Sequence, residues 1–402
     1  MSDKARNAWL IIMSAAIIFM ITMGARQSLG LFVAPLHLST GLSIVSVSFA
    51  FAVSQLVWGL AQPIFGAIAD RKGAYPVLVA GAVLLSAGLA LTPLASTEWS
   101  LILTLGMLTA AGAGAGSFSI LIGAAVRQIP QEYRPLAGGF INAGGSFGQF
   151  VFAPLLQAMI GTWGWVTAIT ATAVTALLTI PVASCLRGKA AIAGGADSSL
   201  SPGVFQQVRQ ALCNPSYLWL HAGFFTCGFH VAFLVTHLPG EVSLCGFTAG
   251  VSAASLAIIG LFNVAGSLFA GWLGSRFKMK YILAVLYGSR AIMIVFYLFF
   301  PKTPVLFYIF SAGIGFTWLA TVPPTAGIVA KLFGPHYLGT LFGLTFMTHQ
   351  IGGFLGAWLG GIAVSYSGSY LWMWYGDVAL AVAAAMVNLL IHEPGRRKSH
   401  TL

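Results

Sequence analysis

Charge is scarce in this sequence. Only 7% of its 402 residues are Asp, Glu, Lys or Arg, against roughly 25% in a soluble domain. Acids are scarcer still, eight against nineteen Lys and Arg. So little charge cannot cover a water-facing surface, and this excludes the two or three soluble domains that length alone would suggest. Cysteine is sparse too: Cys185, Cys213, Cys227 and Cys245 show no CxxC or Cys/His spacing. That excludes a zinc site and a disulfide framework, and leaves free, small apolar residues within helices. There is no Walker-type phosphate loop, no Gly-x-Ser-x-Gly elbow and no cluster of metal ligands. ATP-driven transport and membrane-bound hydrolysis both lack their chemistry. Neither an enzyme nor a cofactor is expected, and a non-transporting receptor or membrane enzyme would need a soluble domain or motif that the chain lacks.

What is present is apolar length. Hydrophobic residues make up 58% of the chain, and 48 glycines suit close helix packing in lipid. A spanning helix needs roughly 20 mostly apolar residues. Twelve segments qualify: 9–34, 43–69, 75–95, 100–126, 137–160, 164–186, 217–240, 248–272, 281–300, 304–330, 339–364 and 370–391. The first is too long for a cleavable signal and has no small-residue cleavage site. The expected fold is therefore an all-α membrane protein of twelve transmembrane helices.

The net charge of +11 invites a nucleic-acid reading, but its placement argues against one. Sixteen Lys and Arg fall on the side of the termini and only Lys302 on the other. By the positive-inside rule both termini are cytoplasmic, and the basic clusters are topology signals rather than nucleic-acid contacts. Trp99, Trp163 and Trp165 in outer loops suit interfacial anchors. The stretch 187–216 breaks the apolar pattern, with a polar, turn-rich core at 194–203. It divides an N-terminal six-helix lobe, 1–186, from a C-terminal lobe and tail, 217–402.

The halves superpose at an offset of 205 residues. Gly66-Ala-Ile-Ala-Asp70-Arg71-Lys72-Gly73 follows span 2, and Gly271-Trp-Leu-Gly-Ser275-Arg276 follows span 8. Gly138 lies on Gly343 and Gly148 on Gly353. Such a repeat marks two-lobed transporters. Here the chain resembles the major facilitator superfamily, whose loop motif Gly-x-x-x-Asp-Arg-x-Gly is matched by Gly66, Asp70, Arg71 and Gly73. The resemblance implies that Asp70 and Arg71 join helix ends and help hold the outward-open state. Ser275 stands where the second copy's acid belongs, which weakens a matching latch there. The stretches 24–35, 227–239 and 338–353 resemble bacterial relatives of the monocarboxylate and oxalate–formate transporters. That implies a bacterial inner membrane, a monomer in the lipid bilayer, and small organic anions with or without protons as partners.

Ionisable groups at membrane depth are costly and suggest function. Arg26 and Arg290 lie within spans 1 and 9, and His221, His230 and His349 within spans 7 and 11. Among the acids only Asp377 falls inside a predicted span, while Glu241 and Glu393 fall in a loop and the tail. Two arginines without obvious carboxylate partners point to a substrate carboxylate, which a guanidinium matches with its planar fork. The alternative for each is a structural role, with Arg290 capping carbonyls between helices. His230 falls one place from Arg26 under the offset and is expected to face it across the two-fold axis. His349 aligns, by the resemblance, with a functional lysine of the oxalate–formate transporter, and could take a proton with the anion. Gln55, Asn142, Gln149, Asn263 and Gln350 are candidate substrate hydrogen-bonders or helix ties. Pro323-Pro324 in span 10 bends a gate or kinks a helix. A proton-driven drug or metabolite exporter of the same fold is the competing reading.

Overall fold

A computed structural model of the chain describes residues 3–187, 204–334 and 338–393. The linker core at 194–203, Lys189, and the basic tail residues Arg396, Arg397 and Lys398 lie outside the described residues. Among the described residues there is no β-strand. Ten stretches are long and apolar enough to cross a membrane. They are α1 (Lys4–Thr40), α2 (Ile44–Lys72), α3 (Ala74–Leu94), α4 (Glu98–Val126), α6 (Trp165–Leu186), α7 (Pro215–Leu244), α8 (Ala249–Gly274), α9 (Met279–Phe299), α10 (Pro304–Phe333) and α12 (Leu371–Leu389). The remaining predicted spans are α5 (Arg134–Trp163) and α11 (Leu338–Ser367), thirty residues each and rich in glycine. Inside the predicted linker, Val204–Leu212 is a short helix that the polar pattern did not announce.

The sequence sets the helix ends. Ser43 Oγ accepts from Ser46 N–H at 3.0 Å to cap α2. Asn214 Oδ1 accepts from Ser216 N–H at 2.9 Å ahead of Pro215, and opens α7. Gly73 ends α2 at φ 88°, in the left-handed region a side chain avoids.

Glycine also builds the seams. A Cβ on Gly148 of α5 would lie 2.1 Å from the Met20 carbonyl of α1, and one on Gly352 of α11 would lie 2.1 Å from the Phe225 carbonyl of α7. Met20 and Phe225 are 205 residues apart and Gly148 and Gly352 are 204 apart, so the two halves repeat the contact with a slip of one residue from the Gly148–Gly353 register. They also repeat a break. α4 interrupts at Gly116 and Ser117, and α10 between Thr317 and Val322. Thr22 of α1 donates to the Gly116 carbonyl at 3.2 Å. Cys227 of α7, again 205 residues on, places its Sγ 3.7 Å from the Trp318 carbonyl.

The halves meet through α2 with α11, α5 with α8, and α1 with α7. These contacts lie at mid-depth or toward the Lys302 end. A Cβ on Gly30 would strike the Val235 carbonyl, one on Gly361 would strike Ser48, and one on Gly260 would strike the Ser146 carbonyl. Toward the basic end they stop. At Gly66, Gly138, Gly139, Gly271 and Gly343 a Cβ would meet nothing within 4 Å. The close contacts between the halves thus lie at mid-depth and toward the Lys302 end.

Candidate functional site

Arg26 comes out of α1 into the seam between the halves, and is only partly buried. Its Nη2 donates to Gln55 Oε1 of α2. The guanidinium lies 4.0 Å over the Trp58 ring, one turn further along α2. Trp58 reaches across to Phe346 of α11, with ring centroids 5.4 Å apart. Phe346 stacks on His349 at 5.4 Å and 5°, and His349 packs on Phe224 of α7 at 4.8 Å. A row of planar groups thus runs from Arg26 in one half to His349 in the other. His349 Nδ1 is 3.2 Å from Gln350 Nε2, while His349 Nε2 and Gln350 Oε1 are buried without a partner. Gln350 lies against Gly59 of α2, where a Cβ would be 2.5 Å from its Cγ. Among the described residues Arg26 forms no ion pair. The seam therefore holds a guanidinium with no carboxylate partner among the described residues, an aromatic floor, and two unsatisfied polar atoms opposite.

The structure places the other predicted residues elsewhere. Arg290 is 1% exposed and does not face the seam. It donates to the Thr317 and Trp318 carbonyls, the latter at 2.6 Å, and to Thr317 Oγ1 at 3.3 Å. These carbonyls sit at the break in α10, where the Val322 N–H turns to the Leu319 carbonyl rather than to that of Trp318. The structural alternative for Arg290 is thus the one this conformation shows. Asn263 bridges rather than lines: Nδ2 donates to Ser146 Oγ of α5 at 2.8 Å, and Oδ1 accepts from the Leu319 N–H of α10 at 3.0 Å. His230 turns to α12, where Nδ1 meets an Asp377 carboxylate oxygen, and so it does not face Arg26. The helix rotation that an offset in sequence cannot supply accounts for this. Asn142 is half-buried on α5, next to Ala143 in the wall of an apolar cleft of about 740 Å³ between α1, α5 and α8. None of the seven predicted substrate residues lines that cleft. Gln149 is fully buried, with both amide atoms unpartnered.

The loop motif is also redistributed. Asp70 pairs with Arg127 at the end of α4, at 2.8 Å. Arg71 is exposed, Gly66 faces open space, and Gly73 forms the turn. The Asp70 tie stays within one half and is exposed, worth about 0–1 kcal/mol. Sequence reasoning missed Trp58 and Phe346, whose aromatic character looks lipid-facing in a chain with 29 Phe. It also put Glu241 in a loop, whereas it is buried in the last turn of α7 and accepts from Tyr297 Oη at 2.5 Å.

Two helix bundles joined along a seam that holds an unpaired guanidinium have the build of a carrier. The profile of the Major Facilitator Superfamily matches residues 15–357, and the chain belongs to that family. It is 24% identical to the oxalate:formate antiporter of Oxalobacter formigenes, over 97% of this chain and 93% of that one. It is 23% identical to monocarboxylate transporter 13 of Rattus norvegicus, over 90% and 83%. Among solved structures, a D-xylose-proton symporter aligns with a TM-score of 0.72 at 15% identity, covering 95% of both chains. A bacterial homologue of the lysosomal transporter Spinster, inward-facing and occupied, also aligns at 0.72, with 13% identity over 97% and 95%. These likenesses show the fold, and the chain is a transporter rather than an enzyme.

Proposed function

We propose that the chain carries small organic anions, monocarboxylates first among them, by alternating access between lobes 1–186 and 217–402 joined by the linker 187–216. One observation carries this reading. Arg26 stands between the lobes with its charge unpaired by any described carboxylate, held by Gln55 and Trp58. A carboxylate guest supplies the missing charge, and the guanidinium receives it through two parallel hydrogen bonds. His349 and Gln350 complete the site from the other lobe. The similarity to the oxalate:formate antiporter and to a monocarboxylate transporter supports the substrate class. In this reading the basic end is cytoplasmic and the described state faces inward in a bacterial inner membrane. The carrier works as a monomer, and proton symport or anion exchange drives it.

The apolar cleft between α1, α5 and α8 favours a second reading, export of apolar metabolites or drugs. Counterflow in proteoliposomes separates the two. Preloaded with unlabelled lactate, pyruvate, formate or oxalate, vesicles should accumulate the labelled anion, and Arg26→Ala should abolish this at normal expression. Full counterflow by Arg26→Ala would remove the anion site. Counterflow of a hydrophobic cation, with none of any carboxylate, would establish the exporter.

A further inference from the structure

The anion site does not use the one acid buried at mid-depth in the C-terminal half. Asp377 on α12 is 0% exposed, and its partner His230 on α7 is 2% exposed. Nδ1 of His230 lies against one Asp377 carboxylate oxygen as an ion pair, and neither the imidazole nitrogens nor the carboxylate oxygens have any further hydrogen-bond partner among the described residues. A purely structural tie would saturate its polar atoms, because each one left bare in a buried site is costly. This pair keeps two lone-pair positions idle.

We propose that His230 and Asp377 together form a proton-binding site in the α7–α12 seam, separate from the anion site and linked to it by charge. Its linkage to transport rests on the anion reading above; proton binding itself does not. With the imidazole neutral and the carboxylate ionised the pair carries −1. One proton from the aqueous phase, settling on the carboxyl or the imidazole, brings it to 0. A second would leave a net cation in a low-dielectric core, so the pair loads and unloads one proton.

The surroundings set the sign of the linkage. Arg290 remains charged in proteins, and its Nη1 is buried without a partner. It sits on α9, which packs along α12: Tyr297 lies 4.9 Å from Trp374, and Lys280 donates to the Leu389 carbonyl at 3.0 Å. Against this fixed charge the deprotonated pair leaves the core near neutral, and the protonated pair leaves it positive. A carboxylate arriving beside Arg26 and His349 offsets that extra charge. Proton and anion therefore each favour the other, and by linkage the effect is reciprocal. The helices packed beside the pair also carry titratable His221, Cys227, His237 and Glu241 on α7, Tyr287 and Tyr297 on α9, His349 on α11, and Tyr370 and Tyr375 at the start of α12. α10 carries Tyr308 and Lys331 near its ends, and Arg276 follows the end of α8.

α7 is placed to transmit the state of the pair. Its other face packs on α11, where a Cβ on Gly228 would strike the His349 carbonyl. Its outer part closes on α1 at Gly30.

The test uses full-length protein in liposomes and in detergent. In infrared difference spectra recorded on acidification, wild type should show a carboxylic-acid C=O band that Asp377→Asn removes and Asp377→Glu shifts. Anion affinity by calorimetry should strengthen at least about fivefold on acidification in wild type, the low end of usual coupling. It should become pH-independent in Asp377→Asn. Counterflow by Asp377→Asn should persist while uphill uptake driven by a proton gradient is lost, a split that a folding defect would not give. His230→Gln, which keeps a hydrogen-bonding side chain, should shift the pH midpoint. A band unchanged in Asp377→Asn, or gradient-driven uptake equal to wild type in a folded variant, overturns the proposal. If wild type shows no counterflow of any carboxylate, the anion reading has failed, and the infrared band still decides whether the pair binds a proton.

Discussion

Arg26 carries the functional argument because of what surrounds it. A guanidinium above Trp58 is held by one hydrogen bond and one ring face, which leaves its remaining donors to a guest. Arg26→Lys keeps the charge but loses the planar fork and the stacking. It should transport with a KM raised about tenfold or more, whereas Arg26→Ala should be inactive; the two rates are read in the same counterflow assay. Trp58→Leu removes a cation–π contact worth about 0.5–2 kcal/mol, so KM should rise several-fold with the site still working. The sequence announced Arg26 through the price of charge at membrane depth, and that reasoning holds for any such residue. It did not tell Arg26 from Arg290. Both lie in apolar spans, and only the neighbour differs: an open seam for one, the bare carbonyls of a broken helix for the other. Asp377 was visible for the same reason as Arg26, but its partner on α7 was not. The spans are apolar nearly all round, so their sequences do not fix which face meets which helix.

At the scale of elements, spans and caps were legible, because an apolar run of given length and a Ser, Thr, Asn or Pro at its start are local signals. Breaks in α4 and α10 were less so: Pro323-Pro324 signalled one, while the other falls at Gly116 and Ser117 in a run of small residues that carries no proline. The α10 break is gripped by Arg290 on one side and Asn263 on the other. Asn263→Ala leaves the Leu319 N–H without its acceptor, at a cost of about 1–3 kcal/mol. The purified variant should melt at lower temperature, and more so than Asn142→Ala, whose side chain ties no helix break. The basic ends of the halves show a second exchange of parts. Arg127 pairs with Asp70 in the first half; Lys331, one place from its equivalent, pairs at 2.5 Å with Glu393 beyond α12. Glu393 also accepts from the Lys280 N–H at 3.0 Å. The acid missing at Ser275 is thus supplied from the other end of the half. Burial raises the Glu393 carboxyl, but hydrogen bonds from Lys331 and from the Lys280 and Met279 backbone outweigh it and hold it below the usual range. A carboxyl depressed in the folded state stabilises above its unfolded value, about 4.3, and loses that contribution as pH falls through the folded one. Glu393→Gln should therefore lower the melting temperature at neutral pH, with the gap from wild type closing below about pH 4.

For the whole molecule, the repeat at 205 residues does more than mark ancestry. It places like contacts at like depths, Gly148 on Met20 and, within one residue, Gly352 on Phe225, so each half is closely packed along its own glycine seam. Motion is left to the surfaces between halves, where contacts at Gly30, Gly260 and Gly361 close one end and open space at Gly66, Gly138 and Gly343 marks the other. If transport is a rocking of these halves, the closed end must open in every cycle. Ser48 and Gly361 meet there, with a built Cβ on Gly361 2.5 Å from the Ser48 Cβ, so small backbone shifts bring a cysteine pair into disulfide range. Ser48→Cys with Gly361→Cys should cross-link under mild oxidation and stop counterflow, and reductant should restore it. Either single variant should be indifferent to oxidant. Undiminished counterflow by the cross-linked protein would mean that the guest passes without the far end parting, and the two-lobed mechanism would have to be abandoned with it.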